Sequence, residues 1–138
     1  MSDAKSESVL LAAAVVESGV KYDQAIRTGH HTFHSDEPKD RGGADTGPAP
    51  YQLLLGSLGA CTAITLKMYA ERKQWDLSGL TVRLKLLREG GVERVERVLG
   101  AGPQVTAEQR ARLVEISAKT PVTLTLLRSM AITTTFAP

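Results

Sequence analysis

The chain of 138 residues holds one cysteine, Cys61, and it is the residue whose type most directly invites covalent chemistry. A thiolate is the nucleophilic form of cysteine, so reactivity depends on how well the surroundings stabilise the anion. Cys61 sits in the middle of GPAPYQLLLGSLGACTAITLKMYAERK, Gly47 to Lys73, an apolar stretch that predicts a helix of about six turns, buried over most of its length. Pro48 and Pro50 suit an entry loop and a first helical position, and Glu71, Arg72 and Lys73 suit an exposed last turn. At about three turns from the helix start, Cys61 gains little from its own helix dipole, which fades within the first turn. A reactive Cys61 therefore needs a positive group from elsewhere in the molecule; without one, a lone cysteine on an apolar helix is an inert small hydrophobe.

Two further groups of residues could bind something. Thr120 precedes Pro121, a pairing that predicts an N-cap and first helical position, contributing on the order of 1 kcal/mol relative to alanine. The same hydroxyl could instead hydrogen-bond a ligand or the Cys61 sulfur. His30, His31 and His34 suggest a metal, but along a strand His30 and His34 stand roughly 13 Å apart on one face while His31 points the other way. They read as exposed strand histidines, and no metal or other cofactor is expected.

Composition narrows the classes. Seventeen Lys and Arg against fifteen Asp and Glu leave a net charge of +2, with the signs interspersed, which offers no field for nucleic acid or an anionic membrane. Two Phe, three Tyr and one Trp are too few for a base-stacking surface. A single cysteine excludes an intramolecular disulfide and fits a reducing compartment, with cytoplasm the default. The N-terminal apolar run Val9 to Val16 follows two acidic residues and lacks the positive start of a secretory signal. Leu53 to Leu66 is too short to cross a bilayer.

The elements that must position Cys61 follow from turns and periodicity. One domain over 1–138 is expected, with 1–8 disordered. Val9 to Pro38 reads as a meander of three antiparallel strands turning near Ser18-Gly19 and Thr28-Gly29. Asp36 to Gly47, DEPKDRGGADTG, reads as a loop that is mobile or gripped by a partner. Beyond the long helix, Leu80, Val82, Leu84 and Leu86 alternate as in a half-buried strand, and Gly90-Gly91 turns the chain into Val92 to Leu99. The spacing of Val92, Val95 and Val98 predicts a bulge in that second strand. Arg83, Lys85, Arg88, Glu93, Arg94, Glu96 and Arg97 read as the solvated face of the hairpin. Thr106 to Gln109 has capping-box spacing and opens a helix to about Lys119, a short helix restarts at Thr120-Pro121, and Met130 to Phe136 suits a last strand.

DEPKDRGGADTGPAPYQLLLGSLGACTAITLKMYAERKQW, with the later helix TAEQRARLVEISAK and the trio Thr120-Pro121-Val122, closely resembles the OsmC/Ohr family of osmotically inducible and organic-hydroperoxide-resistance proteins. The likeness runs from about Tyr22 to the C-terminus. It implies an α+β fold with antiparallel sheets around a long central helix, in an intertwined homodimer. Gly56, Gly59, Ala60 and Ala63 would admit a closely packed partner element, or simply pack within one chain.

The resemblance also implies thiol peroxidase chemistry. The family's first cysteine, which Cys61 matches, is oxidised to a sulfenic acid by the peroxide and then condenses with a second cysteine. In this chain the second motif reads Lys119-Thr120-Pro121-Val122, with threonine in place of that cysteine. The position of a family glutamate ten residues before the first cysteine is Tyr51, and the adjacent Gln52 is neutral. Arg27 and Arg41 are the candidates for the guanidinium that stands against the thiolate. Leu54, Leu58 and Trp75 would be apolar walls, with Tyr51, Gln52 and Thr120 lining the site. The expected function is a hydroperoxide reductase that uses one cysteine and an external thiol at the dimer interface. The alternative is a non-catalytic protein that kept the cleft for a small apolar ligand.

Overall fold

The computed structural model describes residues 7–138, so most of the expected disordered start, residues 1–6, lies outside the described residues. Two compact units divide the chain, one ending at Gln52 and the other spanning Leu53–Pro138. Among the described residues the architecture is α+β, with three α-helices and two antiparallel sheets.

In the first unit β1 (Val15–Ser18), β2 (Gln24–Thr28) and β3 (His31–Ser35) form the three-stranded meander in chain order. The turns fall where glycine was expected to allow them: the Gly19 amide donates to the Asp23 carbonyl at 2.8 Å, and Thr28 pairs with His31 across a two-residue turn. The first strand starts at Val15 and not at Val9, because β2 is five residues long and offers no ladder for the residues before Val15.

The glycine-rich loop is organised from within, contrary to the mobile loop expected. Asp36 is 3% exposed, and its carboxylate accepts the amides of Glu37 (2.8 Å), Ala44 (3.2 Å) and Thr46 (3.3 Å), and the Thr46 hydroxyl (3.1 Å). One short side chain thereby takes up amides that no sheet pairs, as an Asx-type local bond does. A 3-10 turn, Lys39–Arg41, fills the middle.

The second unit is built on α1 (Pro50–Lys73), whose first residues belong to the first unit, on the hairpin β4 (Thr81–Glu89) and β5 (Val92–Gly100), and on α2 (Ala107–Ser117) and α3 (Pro121–Arg128). Gly90 and Gly91 both have positive φ, which a two-residue hairpin turn with the strands' own twist requires. The register then runs from Glu89↔Val92 to Thr81↔Gly100 with no residue skipped. The expected bulge is absent: Val92 and Val98 lie on one face, Val95 on the other, and the three-residue spacing is no break in the pleat.

α1 buries a single row, Leu58, Thr62, Leu66 and Ala70, spaced by four residues. Leu66 and Ala70 join Leu77, Val105 and Leu113 in the core, and Trp75, Leu80, Leu99 and Ile116 pack against them. On the same helix a Cβ at Gly59 would stand 2.9 Å from Cδ1 of Leu84, so glycine sets how closely α1 approaches β4. The helix is therefore not buried over most of its length within its own chain: Tyr51, Ile64 and Met68 are more than half exposed. With 24 residues and a mean hydropathy of 1.4 it is also long and apolar enough to cross a bilayer by length and composition alone, which the shorter run Leu53 to Leu66 is not. Within this chain its Leu66 and Ala70 pack into the core.

α2 opens on the expected capping box, with the Gln109 amide donating to the Thr106 hydroxyl at 3.1 Å and the Thr106 amide to the Gln109 side chain at 3.0 Å. It ends at Ser117, two residues early, because Pro121 starts a new helix just beyond. The last expected strand is absent. Residues 129–138 find no ladder among the described residues, and Met130, Ile132 and Phe136 are exposed.

Candidate functional site

Cys61 follows Leu58 by three residues on α1 and is half-buried, next to the fully buried Thr62. Its sulfur faces the start of α3. That helix begins with Pro121, which has no N–H, so the first helical amide is that of Val122, and it donates to Cys61 Sγ at 3.5 Å. Cys61 thus lies far from the start of its own helix but at the start of another, where unpaired amides and the helix dipole favour an anion.

Thr120 holds the N-cap position, yet its hydroxyl does not cap the helix. It is fully buried and shares a 2.6 Å hydrogen bond with the Thr123 hydroxyl, with the Ser117 carbonyl 3.4 Å away. The group that reaches the sulfur is the Val122 amide, two residues on.

Arg97 completes this cluster. The hairpin register sets it opposite Leu84, on the strand face that also carries Val82, Leu86, Val95 and Leu99. Its Nη1 donates to the hydroxyls of Thr62 and Thr123, both at 2.9 Å, and its Nη2 to the Ser117 carbonyl at 2.8 Å. One guanidinium therefore ties α1, α2 and α3 to β5. Burial pushes its pKa below the ordinary arginine value, and the charge on Cys61 acts in the opposite direction. Arg97 was expected on the solvated face with its charged neighbours, and the register overturns that reading. The signal was available: a Gly-Gly turn fixes the pairing, and counting by twos from it puts Arg97 among the leucines.

A groove of about 590 Å³ lies beside the cluster. Leu54 and Leu58 of α1, Leu86 and Val95 of the hairpin and Leu126 of α3 make its apolar wall, and Arg97 and Thr123 make its polar end.

The remaining expected site residues fall as follows. Gln52 Oε1 accepts the Ala49 amide at 2.8 Å, closing the entry to α1, and Tyr51 is exposed. Trp75 packs on the core and meets Tyr69 edge-on at 5.4 Å; it is not part of the groove wall. Arg27 pairs with Glu17 across β1 and β2, and Arg41 is exposed in the 3-10 turn. Both arginines belong to the first unit. His34 Nδ1 lies 2.8 Å from Asp23 Oδ1, and no group of three metal-ligating side chains occurs among the described residues.

The description "OsmC-like protein" matches residues 42–135, about two thirds of the chain and all of the site above. The chain belongs to the OsmC-like family. The fold comparison agrees with this membership. The OsmC-like protein of Mycoplasma pneumoniae aligns with a TM-score of 0.73 at 16% identity, over 84% of this chain and 86% of that one. An organic hydroperoxide resistance protein OsmC from Legionella pneumophila aligns at 0.61 and 17% identity, covering 86% and 90%. That of Elizabethkingia anophelis, with thiocyanate bound, aligns at 0.58 and 23% identity, covering 83% and 85%. No curated protein matches the chain. Identities this low carry the OsmC fold and not a particular activity, so the chemistry of this OsmC-like chain is argued from its own residues.

Proposed function

We propose that this OsmC-like protein reduces organic hydroperoxides through Cys61 alone, with an external thiol as reductant. The observation that carries the reading is the seat of Cys61 Sγ at the first amide of α3, in a cluster whose Arg97 and Thr123 line a largely apolar groove. The Cys61 thiolate attacks the terminal oxygen of the hydroperoxide. The O–O bond breaks, the terminal hydroxyl stays on the sulfur so that Cys61 becomes a sulfenic acid, and the leaving alkoxide takes a proton from solvent to depart as the alcohol. With Thr120 where a second cysteine would stand, no internal disulfide can form. An external thiol condenses with the sulfenic acid, releasing water and leaving a mixed disulfide. A second thiol equivalent then restores Cys61 and carries away the oxidised reductant.

Leu54 and Leu58 would hold the apolar part of the substrate. Thr120, buried at the start of α3, would form the base of the site. The reading includes an intertwined homodimer in a reducing, cytoplasmic setting. The exposed Ile64 and Met68 of α1 and the apolar, unpaired segment after Ser129 support the dimer, because such side chains lose most by facing water.

Consumption of cumene hydroperoxide with dithiothreitol, compared between wild type and Cys61→Ser, tests the reading. Equal background rates in both would remove it. The second reading, a binding protein without turnover, is favoured by one feature: the groove is built from leucines and would hold an apolar ligand whatever the state of Cys61. Saturable binding of such a ligand by Cys61→Ser, with no turnover in wild type, would select it.

A further inference from the structure

Resting on the reductase reading, we propose that Arg97 is the positioning residue whose charge stabilises the Cys61 thiolate, held there by neutral oxygens from three helices. The guanidinium has five N–H donors and no acceptor. The hydrogen bonds it makes go to two threonine hydroxyls and one backbone carbonyl, none of them anionic. The carboxylates of its own strand are committed elsewhere, Glu93 to Arg88 and Glu96 to Arg94. A half-buried cation whose hydrogen-bond partners are all neutral still has its net charge to balance, and desolvated charges favour an opposite charge close by. Cys61 adjoins Thr62, which accepts from this guanidinium, and its sulfur meets the amide that adjoins Thr123, which also accepts from it.

The three acceptors explain how the charge stays in place. Thr62 adjoins Cys61 on α1, and its hydroxyl donates to the Leu58 carbonyl at 2.7 Å, leaving its oxygen free to accept from Arg97. Thr123 lies on α3 one residue beyond Val122, whose amide meets the sulfur. Arg97 therefore bonds the residue next to the sulfur on one helix and the residue next to its amide donor on another. A lysine could carry the charge to this place but could not bridge all three acceptors as a planar fork does.

The experiment reads iodoacetamide alkylation of Cys61, unambiguous in a chain with one cysteine, across pH in wild type, Arg97→Gln, Arg97→Lys, Arg27→Gln and Arg41→Gln. At pH 7, Arg97→Gln is expected to react about tenfold more slowly, the effect of losing one opposite charge. Arg97→Lys should keep most of the rate, Arg27→Gln and Arg41→Gln all of it, and the Arg97→Gln deficit should close above about pH 10, where thiols are ionised in every variant. An undiminished rate in Arg97→Gln, a deficit that persists at high pH, or a loss in Arg27→Gln or Arg41→Gln instead would overturn the assignment.

A second measurement leaves Arg97 in place and so does not depend on the folding of Arg97→Gln: its guanidinium nitrogen resonances should follow the thiol titration in wild type and stay flat in Cys61→Ser. Flat resonances in wild type would sink the proposal. Hydroperoxide consumption measured alongside separates the two ideas. Cysteine-dependent turnover that survives Arg97→Gln, with unchanged alkylation, refutes the role of Arg97 and leaves the reductase. Absent turnover with slowed alkylation refutes the reductase and leaves the role of Arg97.

Discussion

Asp36 and Arg97 are both charged groups withdrawn from water and held by neutral partners, and they reach that state by opposite routes. The donors to Asp36 come from residues within ten positions of it, so the first unit's loop closes on itself. The acceptors of Arg97 come from three helices 20 to 35 residues away in sequence. The local network uses its charge to order a loop and has four donors around one carboxylate. The long-range network holds a cation on the residue that adjoins Cys61. A charge satisfied locally has nothing left for a substrate, whereas one suspended between elements is available for chemistry at the place where they meet.

Breaking each network should separate these roles. The largest effect expected is on activity: Cys61→Ser should lose at least about a hundredfold in hydroperoxide turnover, whereas Asp36→Asn should alter neither turnover nor Cys61 alkylation. A comparable loss in Asp36→Asn would dissolve the contrast.

Next comes stability. Thr123→Val removes one acceptor from Arg97 and the hydroxyl partner of the buried Thr120, and should cost about 1–3 kcal/mol in urea unfolding. Thr106→Ala, which removes a capping box outside both networks, should cost about 1 kcal/mol and sets the scale for an ordinary cap.

The smallest effect is in acid. Burial works against ionisation of Asp36, but the amides and hydroxyl around it outweigh burial and hold its pKa below the ordinary 3.8. Asp23 is lowered as well, first by its hydrogen bond to His34 and then by that to Thr46. Groups depressed on folding contribute stability above their unfolded value that is lost as pH falls through the folded one. Amide exchange at Ala44 and Thr46 should therefore accelerate below about pH 4 and do so less steeply in Asp36→Asn, while the Arg97 network, which holds no carboxylate, stays closed over that range.

How much of this was legible in sequence depends on how far apart the interacting residues lie. The meander and its turns, the long helix from Pro50 and the capping box at Thr106 all follow from residues within a few positions of each other. The loop after Asp36 was misread because glycine and proline were counted as breakers without asking which acceptor could take their amides. The strand expected after Met130 has the right residue types, but a strand exists only with a partner, and these residues find none among the described residues.

For the site, the sequence alone determined the candidate nucleophile: one cysteine, in a helix whose pattern identifies the family, with threonine where a second sulfur would stand. It also determined that Cys61 needs a positive group, since its own helix dipole is spent well before it. The tertiary structure decided which groups gather around Cys61: the Val122 amide of α3 meets its sulfur, and the Arg97 guanidinium of β5 bonds the adjoining Thr62. The physical reason lies in what each level encodes. Spacing along the chain sets faces and registers, but whether a cation at one register stands beside a sulfur on another helix depends on how the elements pack.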